Sequence, residues 1–305
     1  MALVSKQARQ TVTGYLFLAP ALIFYAIFLV IPVAMSVYIS FTNWNMLGPL
    51  ERARRVGFSH YVYLLTADEM FAASLKNTVI YALGTVFVGM AVALGIALLI
   101  NQLRASALWR FLIFAPVVTP AIAVGRIWSG IYHPSGGYLN ELLRLVGLPP
   151  QQWLSSAELA LPSIMITAIW AGVGATVIVF IAGLRNVPAQ YYDAARIDGA
   201  SPWHEFWYVT LPMLRPTVLF LSVTGLIGAW QVFDLVYSMA IGGTESGTTP
   251  ARAVMVVALY LYMTAFRNLR AGRATAGALI LFVIIFVITL VLLRVLRRGG
   301  LEAYE

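Results

Sequence analysis

The chain has 305 residues, of which 61% are hydrophobic and only 10% charged, with a formal net charge of +8. No soluble domain of this size needs so much apolar surface, so the composition specifies an integral membrane protein, all-α because its apolar runs have helix length. There is no cysteine, which excludes disulfides, thiol chemistry and iron–sulfur sites, and His60, His133 and His204 lie too far apart for a metal-ligand spacing. The basic excess points to anionic lipid headgroups rather than nucleic acid.

Residues 1–13 read as a short polar tail. The run from Gly14 to Phe41 is uncharged and long enough to cross a bilayer, which takes about 20 helical residues. It is too long for a cleavable signal and lacks a small-residue cleavage site, so it is expected to stay as an anchor, with Pro20 and Pro32 as candidate kinks. Thr42 to Ser74 is an exposed, partly helical loop with a basic cluster at Arg52, Arg54 and Arg55. Asn77 to Leu103 is the second expected span, with Gly84, Gly89 and Gly95 as small packing positions. Phe111 to Tyr132 is the third, interrupted by Pro116 and Pro120. Leu159 to Leu184 is the fourth and Pro216 to Ile241 the fifth. Ala253 to Phe266 is apolar but too short to span easily, and is expected to be an interfacial or partly inserted helix. Ala274 to Leu293 is the sixth span.

Six spans place both termini on one side. Charge does not orient them: ten Lys and Arg fall on the side of the termini, nine on the other, and Arg126 lies within a span. Residues 14–298 are therefore one membrane domain, flanked by tails at 1–13 and 299–305.

Between spans four and five lies a polar stretch, 185–217, reading RNVPAQYYDAARIDGASPWHEFWYVTLPMLRPT. Pro188 suits the start of a short helix, Asp198-Gly199 suits its end, and Ser201-Pro202 suits the cap and first turn of a second helix. The second helix carries Trp203, Phe206, Trp207 and Tyr208 and should bury aromatic surface. Near-neutral charge and the small crown of Ala194, Ala195, Gly199 and Ala200 suit close docking by a protein. On the residues alone, a loop lying on the membrane surface fits as well.

The spacing of Asp193-Ala194-Ala195, Gly199 four residues on and then Leu211-Pro212 resembles the EAA loop. That loop belongs to the permease subunits of binding-protein-dependent ABC importers. The strings DAARIDGAS and TLPMLRPT, with SHYVYLLT, NTVIY, AGLRNVP and QVFDLVY, are similar to the sugar-importer branch that includes the maltose and glycerol-3-phosphate permeases. The resemblance covers Ser59 to Arg298. Two departures are Asp193, where the motif has Glu, and Gly243-Thr244-Glu245-Ser246, where the branch usually shows Gly-Pro.

The resemblance implies cytoplasmic termini in a prokaryotic inner membrane and a cytoplasmic 185–217 loop that docks an ATPase subunit. Asp193, Ala194, Ala195 and Gly199 would form the docking element, completed by Asp198, Ala200, Leu211 and Pro212. The implied partners are a second homologous permease, two ATPase subunits that bind ATP and Mg, an extracytoplasmic solute-binding protein and a small sugar-like solute. No Gly-x4-Gly-Lys-Ser/Thr string occurs, so this chain has no phosphate loop of its own, and no catalytic, cofactor or metal site is expected in it.

A sugar pathway needs aromatic faces, amides or hydroxyls, and small residues that leave room. Trp170, Gly172, Thr176, Gly225, Gly228, Trp230 and Gln231 supply these on both sides of the loop; helix packing is the competing reading of the same residues. Arg126 and Asp234 are charges inside expected spans, roughly 22–27 Å from the inner ends at 1.5 Å per residue. They either face the pathway and pair, or snorkel and bond locally. Two other functional classes fit such a chain: an ion-coupled secondary transporter acting as a homo-oligomer, and a non-conducting membrane scaffold.

Overall fold

The structure, a computed structural model, describes residues 6–102, 111, 113–241 and 250–298. Among them the only β-structure is one isolated bridge, Thr42 to Arg55; the rest is helix, turn and loop. By length and apolarity four helices suffice to cross a membrane: Thr13–Ser40, Glu69–Ile100, Ala160–Arg185 and Ala271–Arg294. A fifth candidate is a bent pair, Pro202–Met213 and Arg215–Trp230.

The first helix, α1 (Lys6–Tyr25), passes through a π-turn at Ala26–Val30 into α2 (Ile31–Ser40). Pro32 has no N–H to give to the preceding turn, and the wider i→i+5 turn sits directly before it. None of the most apolar window of this helix is buried within the chain. A helix apolar on every face and covered on none is built for lipid or for other chains. After α3 (Ser59–Thr66), Asp68 caps α4 (Glu69–Leu83), accepting from the Phe71 N–H at 2.9 Å. A second π-turn, Gly84–Val88, leads into α5 (Gly89–Gln102).

The third expected span is broken where the prolines stand. A 3-10 turn (Ala115–Val118) is followed by extended Thr119, as a residue before proline prefers, and then by α6 (Ala121–Ile131). A short amphipathic helix, α7 (Tyr138–Leu145), precedes α8 (Ala160–Arg185). Asn140, fully buried, ties this connection together. Its Nδ2 donates to the Pro134 and Gln151 carbonyls, and its Oδ1 accepts from the Gln151 N–H and the Trp153 indole N–H, both at 2.9 Å.

Beyond α8 come α9 (Ala189–Ile197), α10 (Pro202–Met213) and α11 (Arg215–Trp230). The fifth expected span, continuous from Pro216 to Ile241, is corrected: helix stops at Trp230 and restarts as α12 (Asp234–Ala240), so Asp234 opens a short helix instead of lying inside a long one.

The expected interfacial helix over Ala253–Phe266 is also corrected. The chain there is α13 (Ala251–Val254), extended Met255, and α14 (Val257–Tyr262), and residues 254–257 are buried by protein. Asn77 donates to the Arg252 and Met255 carbonyls, the Val257 N–H donates to Thr78 Oγ1, and Tyr260 donates to Asp68 at 2.6 Å. Asn77 and Thr78 thereby satisfy backbone groups that the break in the helix leaves open. A last helix, α15 (Ala271–Arg298), follows a π-turn at Met263–Arg267.

The chain divides into two compact units, Met1–Ala67 with Leu261–Ile280, and Asp68–Tyr260 with Leu281–Glu305. In the larger unit α8 packs along α5, and α12 packs on α6. In lipid, helix association rests on close packing more than on expulsion of water. Gly125 accordingly sits against Ser238 and Gly174 against the Ile113 carbonyl, where a side chain has no room.

Candidate functional site

The polar stretch folds as a hairpin of two helices. Pro188 is extended and serves as the N-terminal cap residue, so α9 begins one residue later than expected. Its end is a Schellman turn: Gly199 has φ +79°, its N–H donates to the Arg196 carbonyl at 3.0 Å, and the Ala200 N–H donates to the Ala195 carbonyl at 2.9 Å. Ser201 then caps α10, and its hydroxyl also meets His204 Nδ1 at 2.7 Å. Two side-chain clasps, missed by sequence reasoning, hold α9 to α10. Arg196 donates to Glu205 at 3.0 Å, and Tyr192 meets the Thr210 hydroxyl at 3.1 Å. The nine-residue offset between Arg196 and Glu205 has no local periodicity to announce it.

The hairpin is well formed and uncovered. No residue of α9 is buried, and Ile197 at its tip is 86% exposed. Asp193, Ala194, Asp198 and Gly199 are exposed; Ala195, Ala200, Leu211 and Pro212 are half-buried. The expected burial of aromatics is partial. Trp203 packs on Phe206 and Trp207 yet remains 66% exposed, while Phe206 is half-buried. Behind the hairpin, Leu214 is fully buried at a 61° bend between α10 and α11. Gly183 of α8 lies against Leu214 and Thr217 there, leaving no room for a side chain of its own.

The larger unit also contains a cavity of about 480 Å³ between α4–α5, α8 and α11. Of the expected pathway residues, Gly172, Thr176, Gly225 and Gly228 line it. Gly172 and Gly228 face open space, and Gly225 approaches Val86. Thr85 and Thr224 also line it and were missed; each hydroxyl donates to its own helix one turn back, leaving an acceptor side toward the cavity. No charged side chain is among the residues lining it. Apolar walls with a few hydroxyls, at this volume, suit a small neutral polar ligand.

Trp170, Trp230, Gln231, Arg126 and Asp234 lie outside this lining. Trp170 is 44% exposed and meets Trp128 edge-on at 5.4 Å, in a row continued by Tyr132 and Trp153. Trp230 is buried, and Gln231 is exposed at the C-cap of α11. Arg126 and Asp234 are both exposed, and no ion pair joins them. Gly243 to Ser246 lie outside the described residues. Among the described residues no cluster of His, Cys, Asp or Glu has metal-binding geometry.

Residues 85–299 match the family model described as the inner membrane component of binding-protein-dependent transport systems. The chain is 32% identical over 289 residues to the probable ABC transporter permease protein YesP of Bacillus subtilis, covering 94% of this chain and 91% of that one. It is 33% identical over 261 residues to the lactose transport system permease protein LacF of Rhizobium radiobacter, covering 84% of each. It is 32% identical over 284 residues to the sulfoquinovosyl glycerol transport system permease protein SmoG of Agrobacterium fabrum, covering 92% and 89%. Its fold is similar to a chain of a bacterial alginate ABC transporter solved with a periplasmic protein, at a TM-score of 0.81, 24% identity and 97% coverage of both.

Proposed function

This chain belongs to the family of inner-membrane components of binding-protein-dependent transport systems, and from that premise we propose that it is one permease subunit of an ATP-driven importer of a neutral, sugar-like solute. The observation that carries the reading is α9: a capped, clasped helix with no buried residue, in a chain with no phosphate-binding loop. A helix ordered by its own hairpin but covered by nothing is preorganised for a partner, and the partner that supplies ATP binding is an ATPase subunit.

The termini and 185–217 then face the cytoplasm, and the broken segments around Pro116–Pro120 and Gln231–Phe233 complete a six-crossing topology. A second, similar permease covers part of the lipid-length surface that α1 and α2 leave open. The cavity bounded by Gly172, Thr176, Gly225 and Gly228 is the solute's place within this subunit. Its uncharged lining favours a neutral sugar or polyol over a phosphate or carboxylate, because an anion there loses its hydration without a partner. LacF, a lactose permease by name, supports the same solute class. ATP-driven closure of two ATPases moves the docking hairpins, and an extracytoplasmic binding protein delivers the solute to the outward-facing cavity.

The experiment is affinity purification of the tagged full chain in mild detergent from its own host, beside Gly199→Trp. Co-purification of an ATPase, a second permease and a solute-binding protein, with the ATPase lost from the variant, is the expected result. A chain that emerges alone as a homo-oligomer overturns the reading.

A further inference from the structure

The smaller unit carries six arginines near two helix ends, and its only carboxylate is Glu51. Arg52, Arg54 and Arg55 follow α2; Arg267, Arg270 and Arg273 lead into and open α15. Among the described residues, no ion pair joins any of the six to a carboxylate. All but Arg273 are exposed.

The two segments are locked together. The Asn43 N–H donates to the Arg54 carbonyl at 2.9 Å, and the Val56 N–H to the Phe41 carbonyl at 2.8 Å. On the other side of Thr42, the Gly272 N–H donates to the Trp44 carbonyl at 3.2 Å, and His60 Nε2 donates to the Thr42 carbonyl at 3.0 Å. Among the described residues only Met46 and Leu269 combine a side chain with left-handed backbone, one in each arginine-bearing segment. Such backbone is strained and persists only where its surroundings over-determine it.

Depth identifies the ligand. The Arg55 guanidinium lies 5.8 Å from the ring of Tyr38, in the last turn of α2. Arg273, in the first turn of α15, lies 4.0 Å from the ring of Tyr63, and its Nε is buried with no hydrogen-bond partner. Cations level with the ends of membrane-length helices stand where lipid phosphates stand. Trp44, Phe58 and Tyr63 add the aromatic belt of that zone. A docked soluble protein sits above this level. We propose that this arginine platform binds the phosphate headgroups of anionic phospholipid, in the outer leaflet under the topology proposed above. The headgroup preference itself does not depend on that topology.

The test is native mass spectrometry of the purified full chain titrated with phosphatidylglycerol against phosphatidylcholine. Wild type is expected to retain phosphatidylglycerol selectively. Arg54→Gln, Arg55→Gln and Arg270→Gln should each weaken that retention about fivefold, the worth of one basic residue at an anionic surface. The matching Lys variants should keep most of it, and Arg144→Gln, in the larger unit, should change nothing. The unfolding midpoints of all variants are expected to match wild type, since the clasp is made by backbone atoms and His60, which no variant alters. Equal retention of the two lipids by wild type overturns the proposal. So does undiminished selectivity in the triple Gln variant, or displacement of the lipid by inorganic phosphate. A triple variant that keeps its lipid but loses stimulation by the binding protein makes the platform a protein dock instead.

Discussion

Gly199 allows the docking reading to be tested apart from the stability of the hairpin. Its φ of +79° is left-handed, so any L side chain there carries a backbone cost of about 1–2 kcal/mol, a factor of about 5–30 in the population of the closed turn. Yet a Cβ built at Gly199 meets nothing within 4 Å. In the free chain Gly199→Ala and Gly199→Trp therefore share the backbone cost and differ little in steric cost. Gly199→Asn should recover part of it, because Asn tolerates left-handed backbone. Association with the ATPase subunit, measured by biolayer interferometry on the permease in nanodiscs, should fall about 5–30-fold for Ala and less for Asn. For Trp it should fall by at least a further tenfold, because only the docked partner occupies the space the indole enters. Thermal unfolding of the free chain should not distinguish Ala from Trp. If Trp and Ala weaken association equally, the crown of the hairpin does not face the ATPase and the docking argument fails.

Gly172→Leu and Gly228→Leu fill the cavity from positions with open space, so uptake in proteoliposomes should fall at least tenfold with stability within about 0.5 kcal/mol of wild type; unchanged uptake removes the cavity from the pathway. Asn140→Ala strands the Gln151 and Trp153 N–H groups and should cost about 3 kcal/mol in reversible unfolding, less than additively with Trp153→Phe. Additive losses would show that the network does not act as a unit. His60 has its pKa lowered below 6.5, first by burial and further by the Arg273 charge, against the raising effect of the Thr42 carbonyl. Its neutral form is the folded one, so its contribution to stability is complete above pH 6.5 and declines as pH falls below it. Removing the ring by His60→Phe should flatten that acid limb of the melting profile, and an unchanged limb assigns it elsewhere.

The hairpin of α9 and α10 was the most legible part of the chain. Its signals are local: proline at a helix start, glycine in a left-handed turn, serine before proline as a cap. The break near Thr119 was legible for the same reason. The break at Gln231–Phe233 was not, because no Gly or Pro stands there. The segment around 253–266 misled because an apolar run of that length reads alike whether it meets lipid or protein. What decides it are Asp68, Asn77 and Thr78, nearly two hundred residues away, and no periodicity encodes that. The cavity was half legible: the glycines and Thr176 flanking the loop were found, whereas Thr85 and Thr224 looked like any threonine bonded to its own helix. Trp170 suggested a sugar platform by type, but its ring lies against Trp128.

The bend at Leu214 makes α10 and α11 the two arms of a crank. At about 1.5 Å per residue the arms are about 18 Å and about 24 Å long. Leu214 and Thr217, seated against Gly183, are the bearing. At 61° the crank is nearer a right angle than a straight rod, so thrust on the hairpin emerges mostly as a sideways sweep of the longer arm. That arm carries Gly225 and Gly228. Under the proposed function, a stroke at the hairpin would be magnified and delivered as a change in the width of the cavity, with no helix having to slide along its own axis. The shorter arm itself contains a π-turn, at Phe206–Thr210.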